Sequence, residues 1–304
     1  MTGTTKRTLG RTGFKVTFVG FGALEIGRDW GVGSQQQRRR PDEAEARETL
    51  RGVLDLGVNL IDTASAYHRS EERIGKALHG RRDEYILATK CGEHNREPDT
   101  YYDFSYDAIR DSIRTSLRLL QTKVIDLLQI HFGPDPERVL DDGGCVRAMK
   151  EAREAGHVRF LGASVNGTVL DRCIDSGEFD VVQVGYSLLN QGDEGRIAKA
   201  RAKGLGVLVR SGLAGGWLTS RALRMRPEDR PAGVNRLLDL CRGDTELLTA
   251  LALQFITRNE GVSSILIGSK SRENLKDAIR LAGSALDPEL LEKAAGIPRD
   301  SANL

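Results

Sequence analysis

YILATK at Tyr85–Lys90, SYDAIRDSIRTSLRLLQ at Ser105–Gln121 and IDLLQIH at Ile125–His131 follow one another in this chain. The outer two are short and almost continuously apolar, the pattern of parallel strands buried on both faces. The middle one has helical spacing: Ile109, Ile113, Leu117 and Leu120 fall on one stripe. Ser105 stands just before it and Asp107 lies in its first turn, both favourable at a helix N-terminus. A strand–helix–strand unit is the expected result.

The alternation continues in both directions. Further apolar runs lie at Phe18–Gly22, Val58–Ile61, Arg159–Ala163, Val181–Gly185, Gly206–Val209 and Ser264–Ile267. With Tyr85–Thr89 and Ile125–Ile130 they make eight. Amphipathic stretches separate them, among them AEARETLRGVLDLG at 44–57, where Leu50, Val53, Leu54 and Gly57 follow the helical repeat. Eight such repeats without a long linker predict an α/β fold with one closed (β/α)8 TIM barrel. A doubly wound sheet with a second domain would need a composition break near the middle, and none is visible. The expectation is a single domain over residues 1–304. Thr8–Thr17, with Gly10 and Gly13, reads as a short N-terminal β-hairpin ahead of the barrel. Arg28–Pro41 and Ala214–Gly243 read as insertions on the face carrying the C-terminal strand ends, where barrels keep their active sites.

Composition narrows the partners. Forty-five Lys and Arg against 43 Asp and Glu leave a net charge of +2, which offers no reason for nucleic-acid or acidic-membrane binding. With 39% hydrophobic and 29% charged residues the chain is ordinary for a folded enzyme. No apolar run approaches the roughly 18 residues of a membrane span, and the polar start lacks a signal-peptide core. Cys91, Cys145, Cys173 and Cys241 are far apart and read as reduced thiols, with no metal site. A cytoplasmic protein is expected. The oligomeric state is not legible.

The ends of strands two, three and four carry the informative polar residues. VNLIDTASAY puts Asp62 at a strand end and Tyr67 five residues later, YILATK ends in Lys90, and IDLLQIH ends in His131. In a barrel these ends converge. A phenol with a pKa of about 10 is a weak acid at neutral pH. A neighbouring ammonium favours its phenolate, a carboxylate keeps that ammonium charged, and an imidazole can hydrogen-bond a substrate oxygen. Such a set could protonate a carbonyl oxygen as hydride reaches carbon, or run the reverse. No side chain supplies hydride, so a cofactor is required. Any one of these residues alone is more often structural, a solvated cap or a satisfied core residue.

DTASAYHRSEERIGKAL (Asp62–Leu78) resembles the D-T-A-x-x-Y-G-x-S-E-x-x-[LI]-G-x-A-L signature of the aldo-keto reductase superfamily. TLGRTGFKVTFVGFGALEIG, LATK, IDLLQIH, AGHVRFLGAS, VVQVGYSLLN and GVSSILIGSKSRENL follow in the family's order, so the resemblance spans nearly the whole chain. It implies a catalytic set of Asp62, Tyr67, Lys90 and His131. Tyr67 would be the acid/base, Lys90 the group lowering its pKa, Asp62 the partner of Lys90 and His131 an orienting donor.

It also implies a cofactor site for NADP(H), with NAD(H) less favoured. Gln183, which interrupts an apolar run, would meet the nicotinamide carboxamide or serve as a core amide bonded to backbone. Ser164 would reach the same carboxamide, and Tyr186 would stack on the ring. Val165 stands where the family has Asn, and Asn166 comes one residue later. Ser211, Leu213 and Gly215 would wrap the pyrophosphate, with Arg210 in place of the common aromatic residue and Gly212 in place of the common Pro. Gly22 and Gly268 would line the site. Lys270 and Arg272 open a helix, where cations oppose the dipole; they would take the 2′-phosphate or be plain solvated charge. Asn274 would sit near the adenine, and Ala278 stands where relatives often have Asn. Trp30 and Phe132 could wall a substrate pocket, and Trp217 could touch the cofactor.

The leading expectation is an enzyme, an NADPH-dependent oxidoreductase acting on an aldehyde, ketone or sugar carbonyl or the matching alcohol. The alternatives are a cofactor-binding regulatory or scaffold subunit, and a cofactor-free barrel lyase or isomerase.

Overall fold

The structure, a computed structural model, describes residues 5–297. The ends of the expected domain, 1–4 and 298–304, lie outside the described residues. Eight parallel strands close into one barrel: Val19–Gly22, Leu60–Asp62, Ile86–Cys91, Ile125–His131, Val158–Ser164, Val181–Gly185, Gly206–Arg210 and Ser264–Gly268. Each pairs with its neighbours in sequence, and the eighth closes on the first through Ile265–Val19 to Gly268–Gly22. These are the eight apolar runs of the sequence, shifted by a residue or two at their ends.

The helices form as their caps require. Asp42 caps Glu43–Asp55 by accepting from Ala44 N and Glu45 N, while Glu45 reaches back to the Asp42 amide. Ser105 caps Tyr106–Leu119 through Ala108 N. Ile109 and Ile113 from that helix are buried against the outside of the barrel. Burying a side chain of that size contributes about 1.5–3 kcal/mol.

The barrel interior is layered. Leu60, Ala88, Leu127, Val181, Leu208 and Leu266 form an apolar floor. The hairpin Lys6–Thr8/Lys15–Thr17 closes this end, adding Leu9 and Val16 to the same cluster. Gly10 has φ +48°, and a Cβ there would lie 2.1 Å from Gly206 N, so only glycine lets the hairpin seat on strand seven. Two positions along each strand lies the next residue on the same face. There the interior turns polar: Asp62, Lys90, Gln129, Gln183 and Arg210.

The strand-end face carries three irregular pieces. Arg28–Pro41 contains a short helix, Gln35–Arg38, capped by Ser34. Ala214–Gly243 folds into short turns and the helix Ala232–Leu240, with its own cluster around Leu218, Val234 and Leu237. Trp217 packs on that cluster and is absent from the cavity wall, so it does not take the cofactor-facing place expected for it. The third piece, a hairpin of Glu93–Arg96 and Asp99–Tyr102, has no counterpart in the sequence reading.

Candidate active site

A cavity of about 820 Å³ opens on this face, in the size range of small-molecule sites. Asp62, Tyr67, His131, Ser164, Gln183 and Arg210 line its deep end. Lys90 stands behind them, fully buried.

The buried charges are closely paired. Lys90 Nζ donates to Asp62 Oδ2 at 2.5 Å and to the Thr63 carbonyl at 2.9 Å, and reaches the Tyr67 hydroxyl at 3.5 Å. The other Asp62 oxygen accepts from Gln129 Nε2 at 2.9 Å and Gln183 Nε2 at 3.0 Å. The carboxylate is thus held by three donors from strands three, four and six. The structure brings together all four residues of the expected set. The Tyr67 and His131 rings meet edge to face, with centroids 5.9 Å apart.

The electrostatics differ from expectation in one respect. Burial pushes the Tyr67 phenol up, Lys90 pulls it down, Asp62 pushes it up and Arg210 pulls it down; the net is above the ordinary phenol value. Lys90 acts in the expected direction, but burial outweighs it. Burial would lower the Lys90 ammonium, yet Asp62 and Tyr67 hold it above its usual value, so it stays charged.

Two polar neighbours were missed in the sequence. Gln129, fully buried, carried the same signal as Gln183: an amide inside an apolar strand. Glu93, on the added hairpin, is buried on the cavity wall with Oε2 2.8 Å from His131 Nδ1, a close polar contact out of line for a hydrogen bond. Thr100 donates to Glu93 Oε1 at 2.6 Å. Burial favours the neutral Glu93 acid, but His131, Thr100 and Arg28 together hold it below the usual carboxylate value. Burial lowers His131 against the pull of Glu93, so its ring is mainly neutral near pH 7.

The expected cofactor residues divide into two groups. Gly22, Ser164, Gln183, Ser211, Leu213, Gly215, Gly268, Asn274 and Ala278 line the cavity. Ser211 (φ +57°), Ala214 (φ +49°) and Gly215 (φ +66°) form a turn of left-handed residues along it, a strain typical of ligand clamps. Gly22, Gly215 and Gly268 put bare backbone on the wall, which fits a group whose phosphates need close backbone approach. Ser164 Oγ donates to Gln183 Oε1 at 3.4 Å, while both bonds from Gln183 Nε2 go to Asp62 and Gln129. Gln183 therefore braces Asp62 as well as facing the cavity.

Tyr186, Lys270 and Arg272 are absent from the wall. Gln183 points inward, so Tyr186 three residues on falls on the outer face. Its ring is buried there, stacked on Phe255 at 5.1 Å, which corrects the expected stacking on a nicotinamide. Lys270 Nζ donates to the carbonyls of Gln37, Arg38 and Arg39 at 3.2, 2.7 and 2.6 Å. Arg272 is exposed, and its aliphatic stem lies against Gly52. Asn166 accepts from Arg210 at 2.6 Å and donates to the Gly185 carbonyl at 3.0 Å, in place of facing the cavity. Trp30 and Phe132 do stand on the wall.

Among the described residues no group of His, Cys, Asp and Glu is arranged to hold a metal ion, and no helix is long and apolar enough to cross a membrane. All four cysteines are buried, and none is in a disulfide.

Comparison with known proteins agrees with this geometry. L-galactose dehydrogenase of Arabidopsis thaliana is 32% identical, over 98% of this chain and 95% of its own length. The NADH-specific methylglyoxal reductase of Escherichia coli is 26% identical, over 98% of both chains. The holo form of aldo-keto reductase AKR11C1 from Bacillus halodurans superposes with a TM-score of 0.81 at 28% identity, over 98% of both chains. The Aldo/keto reductase family model matches residues 19–297, and the chain belongs to that family of oxidoreductases.

Proposed function

We propose that this protein is a single-domain, cytoplasmic, nicotinamide-dependent oxidoreductase that interconverts an aldehyde, ketone or sugar carbonyl with its alcohol, Tyr67 being the general acid/base. The observation that carries the reading is Tyr67 on the cavity wall with its hydroxyl 3.5 Å from an ammonium that Asp62 holds charged. The bound cofactor supplies the hydride. Tyr67 gives its proton to the carbonyl oxygen, or takes it back in the reverse direction. Lys90 stabilises the phenolate that remains, and Asp62, braced by Gln129 and Gln183, fixes Lys90. His131 reaches the substrate oxygen as a neutral ring. A positioned acid of this kind contributes about 10²–10⁴-fold.

Family members use nicotinamide nucleotides, and one relative is NADH-specific by name. The expectation of NADP(H) came from the family resemblance, which gave the 2′-phosphate to Lys270 and Arg272. Both are off the wall, so that preference is not part of the proposal. The partner proposed is a small carbonyl or alcohol, not nucleic acid or membrane. The test is a turnover screen of aldehydes, ketones and sugars with NADPH and NADH, read as loss of reduced-nicotinamide absorbance. Turnover of at least one class supports the reading. A purified protein that binds nucleotide and turns over none of the panel contradicts it.

A further inference from the structure

The cavity runs from Tyr67 and His131 past the loops after strands seven and eight to Thr245, Glu246, Asn274, Asp277, Arg280 and Leu281. If the reacting ring of a dinucleotide lies beside Tyr67, its adenosine half reaches this far end. The inference therefore rests on the nicotinamide-dependent reading above.

The charge at that end is already matched. Arg280 Nη1 donates to Glu246 Oε1 at 3.0 Å and its Nη2 to Asp277 Oδ1 at 3.3 Å, so the three groups carry a net negative charge. The other cations on the wall are engaged as well. Arg221 makes a two-point contact with Glu25 at 2.9 and 3.1 Å, and Arg224 donates to the Val32 carbonyl at 3.1 Å. At the deep end Arg210 bonds Asn166 at 2.6 Å, and Arg28 pairs with Glu93 only at 4.0 Å, beyond hydrogen-bond distance. The three donors of Lys270 go to the three carbonyls at 37–39.

A ribose 2′-phosphate carries close to two negative charges and only acceptor oxygens. It needs unspent donors, and here it would meet two carboxylates. A free ribose 2′-hydroxyl is a donor, and a carboxylate is its natural partner. Glu246 and Asp277 still have acceptor capacity beyond the single bond each makes to Arg280.

We propose that this chain selects NAD(H) over NADP(H), and that Glu246 and Asp277, held by Arg280 at the far end of the cavity, set the preference. Lys270 at this helix start is structural, pinning the loop 37–39 to the rim of strand eight, and Arg272 stands exposed off the cavity wall.

The experiment is equilibrium binding of NADH and NADPH to the full chain, followed by nicotinamide fluorescence, with 5′-AMP and 2′,5′-ADP as competitors that report the adenosine end alone. Wild type is expected to bind NADH at least tenfold more tightly than NADPH, and 5′-AMP more tightly than 2′,5′-ADP. The double variant Glu246→Gln/Asp277→Asn is expected to narrow the ratio severalfold; both side chains are largely exposed, so folding is not at stake. Equal or tighter binding of NADPH by wild type overturns the inference and leaves the proposed function standing. An NADH preference that the double variant leaves unchanged overturns the assignment of Glu246 and Asp277. Failure of both nucleotides to bind overturns the proposed function and this inference together.

Discussion

Nδ1 of His131 lies 2.8 Å from Oε2 of Glu93, a carboxylate supplied by a hairpin outside the barrel. Burial lowers the imidazole and Glu93 opposes that shift. The His131 ring is therefore expected to titrate below 6.5 by NMR, and lower still in Glu93→Gln, which removes the opposing charge. A midpoint above 6.5 in wild type, or an upward shift in the variant, would contradict this electrostatic balance.

Asp62 is expected to be a stability residue as well as a functional one. It accepts from Lys90, Gln129 and Gln183, all buried. Asp62→Ala leaves an ammonium in the barrel without its counter-ion, a change that costs about 3–5 kcal/mol. Replacing both members, as Asp62→Leu/Lys90→Met, should cost less than the single change. Urea midpoints at pH 7 for wild type and the two variants check the order.

Glu71 gives stability a pH dependence. Burial pushes its carboxyl up to about 7, against the pull of Thr89, Ser116 and Lys90. An unfolded glutamate titrates near 4.5. Between these values the unfolded chain releases the proton while the folded chain keeps it. Stability due to this group is therefore full below the lower value and is lost by the upper one, up to about 3 kcal/mol. In Glu71→Gln that loss disappears. The Tm difference between variant and wild type should move in the variant's favour from pH 5 to pH 8, and a difference that does not change with pH counts against it.

Gly27 holds the loop that carries Tyr67. A Cβ at this position would stand 2.0 Å from the Tyr67 carbonyl oxygen and 2.4 Å from Ser70 N, both backbone atoms that cannot simply swing away. Gly27→Ala must displace the Tyr67 backbone, and a misplacement near 1 Å can cost about 10²-fold in rate. The expected result is a kcat lowered by about 10–100-fold in protein that remains folded by circular dichroism.

The barrel was legible because parallel strands covered on both faces read as unbroken apolar runs, and VVQVG or IDLLQIH has few other uses. Asp62, Lys90 and His131 were legible as polar residues ending such runs. Gln129 carries the same mark, an amide inside an apolar strand, two residues before His131. Glu93 carried none: its hairpin has no hydrophobic period, and its approach to His131 depends on how the loop after strand three crosses strand four. Lys270 shows a related limit. Its charge is visible in the sequence, but its partners are backbone carbonyls, which any residues would provide. Tyr186 was misplaced through resemblance, although counting by twos from Gln183 already puts its ring on the outer face.

The most direct measurement is single-turnover hydride transfer in Tyr67→Phe, with nucleotide affinity determined alongside. Loss of the hydroxyl is expected to slow transfer by about 10² or more while the nucleotide still binds at wild-type strength. Transfer within twofold of the wild-type rate would mean that the proton on the substrate oxygen comes from some other group.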